Sequence, residues 1–130
     1  MKKIPEWIEN MIIKDRRLSV KYAMSREYLR QSKSMQFIDG ERSENGGWKR
    51  FRYVVNSKKY GRYWVKYENG RYECNCPFFK GNPICSHILG ICQKTGIWPE
   101  KEKQLRNRRE AWKIVVYLLY GIKHKHFRVF

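Results

Sequence analysis

The sequence predicts an α+β fold, and three observations carry that expectation. A Tyr- and Val-rich stretch from Trp48 to Cys76 alternates in hydrophobicity with a period of two and contains Asn69-Gly70, the signature of a small antiparallel sheet. Segments on either side repeat their apolar residues at helical spacing. Between them, Cys74, Cys76, Cys85 and His87 are spaced C-x-C, eight residues, C-x-H. The expected architecture is a small three-stranded antiparallel sheet whose last hairpin is closed onto a helix, flanked by N- and C-terminal helices. Residues 1–45 form a helical extension, 46–98 the central module and 99–130 a C-terminal helix with a basic tail, all within one compact domain.

In the N-terminal segment, Pro5 suits the first position of a helix, and Trp7, Ile8, Met11 and Ile12 share one side of it, which predicts a helix to about Arg17. A second, short helix is expected from Ser25 to about Lys33. Ser43-Glu44-Asn45-Gly46-Gly47 reads as a loop.

For the sheet, a two-residue turn at Asn69-Gly70 pairs Glu68 with Arg71, Tyr67 with Tyr72, Lys66 with Glu73 and Val65 with Cys74. Opposite charges then meet on one face, while aromatic and aliphatic residues share the other. Phe51, Tyr53 and Val55 of the preceding strand belong on the inner face, which leaves Trp48, Arg50, Arg52, Arg62, Trp64 and Lys66 outside. Two tryptophans among cations can stack bases while the cations hold phosphates. The alternative packs Trp48 and Trp64 under the N-terminal helix with solvated cations around them.

Three thiols and one imidazole are the complement of a closed tetrahedral zinc site. Cys74 and Cys76 face one side of a strand, but lie about 6–7 Å apart along it, so the chain must bend at Cys76, where Pro77 ends the ladder. Residues two apart on a helix do not face each other, so Cys85 and His87 cannot both lie inside one. Ser86 as N-cap puts Cys85 just outside the helix and His87 on its first turn, with Ile88, Ile91, Cys92 and Thr95 inward and Gly96 as the stop. Cys92 is two turns away, on the order of 10 Å along the axis, and stays out of the site. Two disulfides are the other use of four cysteines. No secretory apolar region follows Met1-Lys2-Lys3, because Ile4-Pro5-Glu6-Trp7 interrupts it, so an intracellular, cytoplasmic protein with one structural zinc is expected.

From 99 to 120 the chain reads as helix: Pro99 suits the first position, Glu100 and Glu102 suit the positive end of the dipole, and Gly121 suits the stop. Leu105, Trp112, Val115, Val116 and Leu119 form an inward stripe. Arg106, Arg109, Lys113, Tyr117 and Tyr120 form a second stripe, read either as a phosphate-binding face or as a solvated one. The longest apolar run, Ile114 to Tyr120, is too short to span a bilayer. Lysines flank the H-x-H of His124 and His126 and repel a metal cation, so the tail reads as a basic segment for nucleic acid.

The motif and its surroundings resemble the SWIM zinc finger, in which C-x-C closes a β-hairpin and C-x-H opens a helix. Beyond the four ligands, Tyr- and Val-rich strands precede Cys74, Pro77 and two Phe follow Cys76, and Gly81, Pro83 and Ile84 lead into Cys85-Ser86-His87-Ile88-Leu89. The resemblance covers about residues 51–96. It implies a structural zinc and a module found in proteins that bind DNA or other proteins, including transposase accessory regions and recombination factors. It implies no reaction.

Charge narrows the partner. The chain carries a formal +17 on 130 residues, distributed as +3 over 1–45, +6 over 46–73, +2 over 74–98 and +6 over 99–130. Such a surplus favours a polyanion. With no lipidation motif, and with 15% aromatics interleaved among the cations, nucleic acid is favoured over a membrane surface. A four-ligand zinc leaves no open position for water, and no catalytic triad, phosphate loop or carboxylate constellation stands out, so a non-catalytic protein is expected. Its partner is expected to be RNA in a large ribonucleoprotein, ribosomal among them, or DNA, with a nucleoid or nuclear location in the latter case. The alternative is a protein-interaction adaptor in recombination, repair or transcription.

Overall fold

A computed structural model describes residues 4–31, 33–57 and 61–105 of the chain. Its elements in order are α1 (Glu6–Lys14), α2 (Arg16–Arg30), β1 (Met35–Arg42), β2 (Trp48–Ser57), β3 (Gly61–Glu68), β4 (Arg71–Cys74), α3 (Pro77–Gly81) and α4 (Ser86–Thr95). The strands form one antiparallel meander in the order β1-β2-β3-β4. The fold is α+β as expected, with four strands rather than three.

The helical segment divides differently from the expectation. Asp15 accepts hydrogen bonds from the backbone N–H groups of Arg17 (2.9 Å) and Leu18 (3.4 Å), so it caps a new helix, and α1 stops at Lys14 instead of reaching Arg17. The second helix therefore starts at Arg16, not Ser25. Ser25 is buried within it: its hydroxyl donates to the Tyr22 carbonyl (2.6 Å) and accepts from Gln93 Nε2 (2.8 Å), tying α2 to α4. Gly90 faces α2 there, and a Cβ on it would meet Met35 Sδ at 3.4 Å and the Ser25 carbonyl at 3.8 Å, ordinary packing distances.

The added strand, β1, falls inside the segment expected to be helical extension and loop. Only Met35 of its eight residues is buried; the extra residue Ile38 at the Phe37/Asp39 bulge breaks its period of two, and a second bulge beside Glu41/Arg42 has its extra residue on β2. The register of the β3–β4 hairpin agrees pair for pair with the expectation. Asn69 (φ 47°) and Gly70 (φ 93°) both take positive φ, as a type I′ turn requires.

One face of the sheet, with Phe51, Val55, Val65 and Tyr72, packs on Ile84, Ile88, Leu89, Ile91 and Cys92, and Ile8, Leu18 and Tyr28 complete the core from α1 and α2. Each fully buried large aliphatic stabilises this core by about 1.5–3 kcal/mol. Residues 101–105 are helical and lace the segment after α4 onto the hairpin. Glu100 N–H donates to the Gly70 carbonyl (2.8 Å), and Lys103 Nζ donates to that of Asn69 (2.8 Å). Buried Gln104 acts as a surrogate strand at the edge of β4: its Oε1 accepts from Tyr72 N–H (2.8 Å), and its Nε2 donates to the carbonyls of Tyr72 (2.9 Å) and Pro83 (2.7 Å). Gln104→Leu keeps the bulk but strands these groups, and should lower stability by about 2–4 kcal/mol. Urea unfolding of the zinc-loaded protein measures this, and a loss below about 0.5 kcal/mol contradicts the role.

Candidate metal centre and basic surfaces

Cys74 ends β4, because the next residue turns its side chain back to β3: Asn75 Oδ1 accepts from Trp64 N–H (2.9 Å) in place of a backbone carbonyl. The chain bends there, and Cys76 precedes the single-turn α3, with Pro77 at its first position. Cys85, rather than Ser86, is the N-cap of α4, its Sγ accepting from Ile88 N–H (3.5 Å). The sulfur accepts in place of a hydroxyl, so one side chain serves both cap and metal site. His87 still falls on the first turn, and Gly96 (φ 75°) terminates the helix.

The four donor atoms lie within 4.8 Å of one another, and all four residues are buried. His87 Nδ1 is 3.7 Å from Cys74 Sγ and 3.9 Å from Cys85 Sγ. A tetrahedral zinc with bonds of about 2.3 Å to sulfur and about 2.0 Å to nitrogen requires edges of about 3.6–3.8 Å, so the cluster fits one structural zinc. The imidazole is held from both sides, by Tyr28 (centroids 5.5 Å apart, stacked) and Tyr63 (4.8 Å, tilted).

Electrostatics agree with that fit. Hydrogen bonds from the Cys74 and Cys85 thiols push Cys76 far below the ordinary thiol range. The proton shared with Cys76 pushes Cys74 up to about 12, and burial, with its neighbours' charge, raises Cys85 well above the usual value. Burial and mutual repulsion oppose three thiolates at one point, and a divalent cation at their centre offsets both. Cys92, whose thiol is pushed up by burial, lies in the core outside the cluster.

The outer face of the sheet is arranged differently from the cationic surface expected. Two rows of paired residues cross all four strands: Glu41, Arg50, Glu68 and Arg71 in one, Asp39, Arg52, Lys66 and Glu73 in the other. Each row sums to zero formal charge. Arg50 Nε lies 3.1 Å from Glu41, and Lys66 Nζ lies 4.0 Å from Glu73. Arg52 forks onto Asp39, its Nε donating to Oδ1 at 2.8 Å, and that hydrogen bonding holds the Asp39 carboxyl below its ordinary value. Trp64 is exposed on this face, with Lys66 Nζ 5.8 Å from its ring centroid. Arg62 pairs in register with Asn56.

Trp48 is not on that face. The bulge beside Glu41/Arg42 inserts an extra residue, Lys49, which turns Trp48 over to the aromatic side. Its ring meets Phe51 (5.9 Å) and Phe37 (5.7 Å), lies where a Cβ on Gly40 would be 2.6 Å away, and carries Arg42 at 3.9 Å. Arg106, Arg109 and Lys113, and the basic tail, lie outside the described residues.

Sequence reasoning also passed over residues that shape the site. Tyr28 and Tyr63 clamp the ligand imidazole, and Asn75 makes the bend. Only the last had a signal, since an Asn between two ligand cysteines marks a turn.

Cys85→Ser should abolish zinc binding and much of the cooperative fold, because metal affinity and folding are coupled, whereas Cys92→Ala should retain one zinc and lose only about 1–2 kcal/mol. Elemental analysis and thermal melting of freshly reduced protein measure both. Zinc absent from the wild type, or retained in Cys85→Ser, would remove the centre from this account.

No curated protein and no solved structure matches the chain. The family model of the SWIM zinc finger matches residues 63–96, a span from β3 through α4 that includes all four donors. The match to the SWIM zinc finger runs from Tyr63 to Gly96, with β1, β2 and the α1–α2 pair outside it.

Proposed function

We propose that this chain is a non-catalytic, zinc-stabilised nucleic-acid-binding protein whose partner is RNA in a ribonucleoprotein, ribosomal particles included. One observation carries the reading: a formal +17 on 130 residues, spread over every segment. A groove reader would concentrate its charge on one recognition element, whereas charge on many surfaces suits a protein embedded in a large folded polyanion. The SWIM finger supports an interaction role of this kind. A four-donor metal site has no open position for a substrate, which supports a structural zinc. No helix among the described residues is long and apolar enough to cross a membrane.

A specific observation favours the adaptor as second reading. β1 is an edge strand, and Phe37 and Ile38 on it are 49% and 48% exposed, a surface on which a partner protein could add a strand.

Salt separates the two. Neutralising six or more phosphates makes affinity fall roughly a thousandfold between 50 and 200 mM salt, while an apolar protein contact is nearly indifferent to it. In a lysate at moderate ionic strength the protein should sediment with ribonucleoprotein particles, leave them after RNase treatment and ignore DNase. Cosedimentation with DNA that DNase abolishes and RNase spares would replace RNA by DNA.

A further inference from the structure

The two charged rows on the sheet's outer face have their cations matched by carboxylates, but the surface where α2 meets the finger does not. Arg17 and Lys21, one helical turn apart on α2, have no carboxylate partner among the described residues; both lie over the ring of Phe78, at 5.8 Å and 4.9 Å from its centroid. Phe78 is half-buried on α3, two residues after the ligand Cys76. Beside it opens a cleft of about 200 Å³, lined by Lys21, Met24, Tyr63, Pro77, Phe78 and the edge of His87. Tyr28, Ser86 and the ligand Cys76 complete the lining, in which Lys21 is the one cation, and Arg17 stands beside it over Phe78.

From this arrangement we propose that the α2–finger cleft is a binding site for an unpaired nucleotide of single-stranded RNA. The base enters beside Phe78 and Tyr63, and the flanking phosphates meet Arg17 and Lys21. The inference rests on the nucleic-acid reading above and supplies the surface for it. An unstacked base presents two apolar faces and an anionic backbone, which is what an aromatic slot with cations on one rim complements. A duplex keeps its bases stacked and has nothing to insert. The cleft is also too small for the drug-sized ligands that occupy pockets of about 300 Å³ and more. An acidic peptide would satisfy the two cations but leave the rings without a stacking partner.

The test uses full-length, zinc-loaded protein and fluorescence anisotropy with a twelve-nucleotide oligouridylate, its oligothymidylate counterpart, an RNA duplex of the same length and a polyglutamate peptide. The wild type should bind the oligouridylate more tightly than the duplex and the peptide. Arg17→Ala with Lys21→Ala should weaken that binding roughly tenfold or more and flatten the slope of log affinity against log salt by about 1.4. Phe78→Leu keeps an apolar contact with the core but removes the ring, and should weaken binding roughly five- to a hundredfold with the salt slope unchanged. Trp64→Ala on the outer face should leave affinity within about twofold, below the loss of one stacked base. Circular dichroism and zinc content verify that each variant is folded.

Oligouridylate binding that survives both the double alanine and the Phe78→Leu variants, or that falls only with Trp64→Ala, overturns the cleft and spares the nucleic-acid reading. Preference for the duplex, the peptide or the oligothymidylate overturns the proposed occupant. Failure of the wild type to bind any nucleic acid overturns both.

Discussion

Bringing four donors from three separate elements to one buried point is the constraint on which the rest of this structure depends. Cys74 comes from the end of a strand, Cys76 from the bend after it, and Cys85 and His87 from the start of a helix. None of these local structures places its donors at zinc distance unaided. A strand holds alternate side chains about 6–7 Å apart, and a helix turns alternate residues to different sides. The chain resolves both conflicts at element boundaries. Asn75 ends β4 by hydrogen bonding across to Trp64, and Cys85 stands outside α4 as its cap. The junctions between elements are therefore where the chemistry resides, and the regular elements serve to aim them.

Charge is organised by the same economy of position. Where the chain builds a regular sheet, cations and carboxylates share two cross-strand rows and cancel within each. Such exposed pairs add little stability individually. Their effect is to keep a wide, flat face from accumulating the repulsion that a +17 chain would otherwise place there. On α2, Arg17 and Lys21 have no such partner among the described residues. An Arg on this sheet and an Arg on that helix are thus different in kind, although in sequence both are one basic residue among 29.

The limits of sequence reasoning here are those of local signals. The β3–β4 register was legible to the residue, because Asn69-Gly70 admits one turn geometry and every pairing that follows is chemically consistent. The metal ligands were legible because their residue types and spacing are so restricted. β1 was not: a strand with one buried residue, a bulge and a central Gly shows no alternation, and its Asp39 and Glu41 gain a reason only opposite Arg52 and Arg50. Trp48 lies on the face opposite to the one that alternation predicts, because Lys49 is an extra residue in β2. Parity holds along a strand until a bulge inserts one residue, and then every side chain beyond it exchanges sides. Asp15 was a readable helix cap that the apolar run from Trp7 to Ile12 overshadowed, and with it went the true start of α2.

The helical pair is bound to the finger through its own contacts as well as through the metal's surroundings. Ser25 hydrogen bonds to Gln93 of α4, and Gly90 faces α2. Tyr28 of α2 stacks on the imidazole of His87. From that same helix, Lys21 reaches over Phe78, which stands two residues beyond Cys76. One wall of the cleft is thus fixed by a zinc ligand's neighbour and the other by a helix docked on a second ligand's ring. The Phe78 wall depends on the convergence of the donors, because α3 is a single turn and owns no buried residue of its own. The metal and the cleft form one mechanical unit: the zinc fixes where Cys76 and His87 sit, and those two residues fix the distance between the aromatic walls.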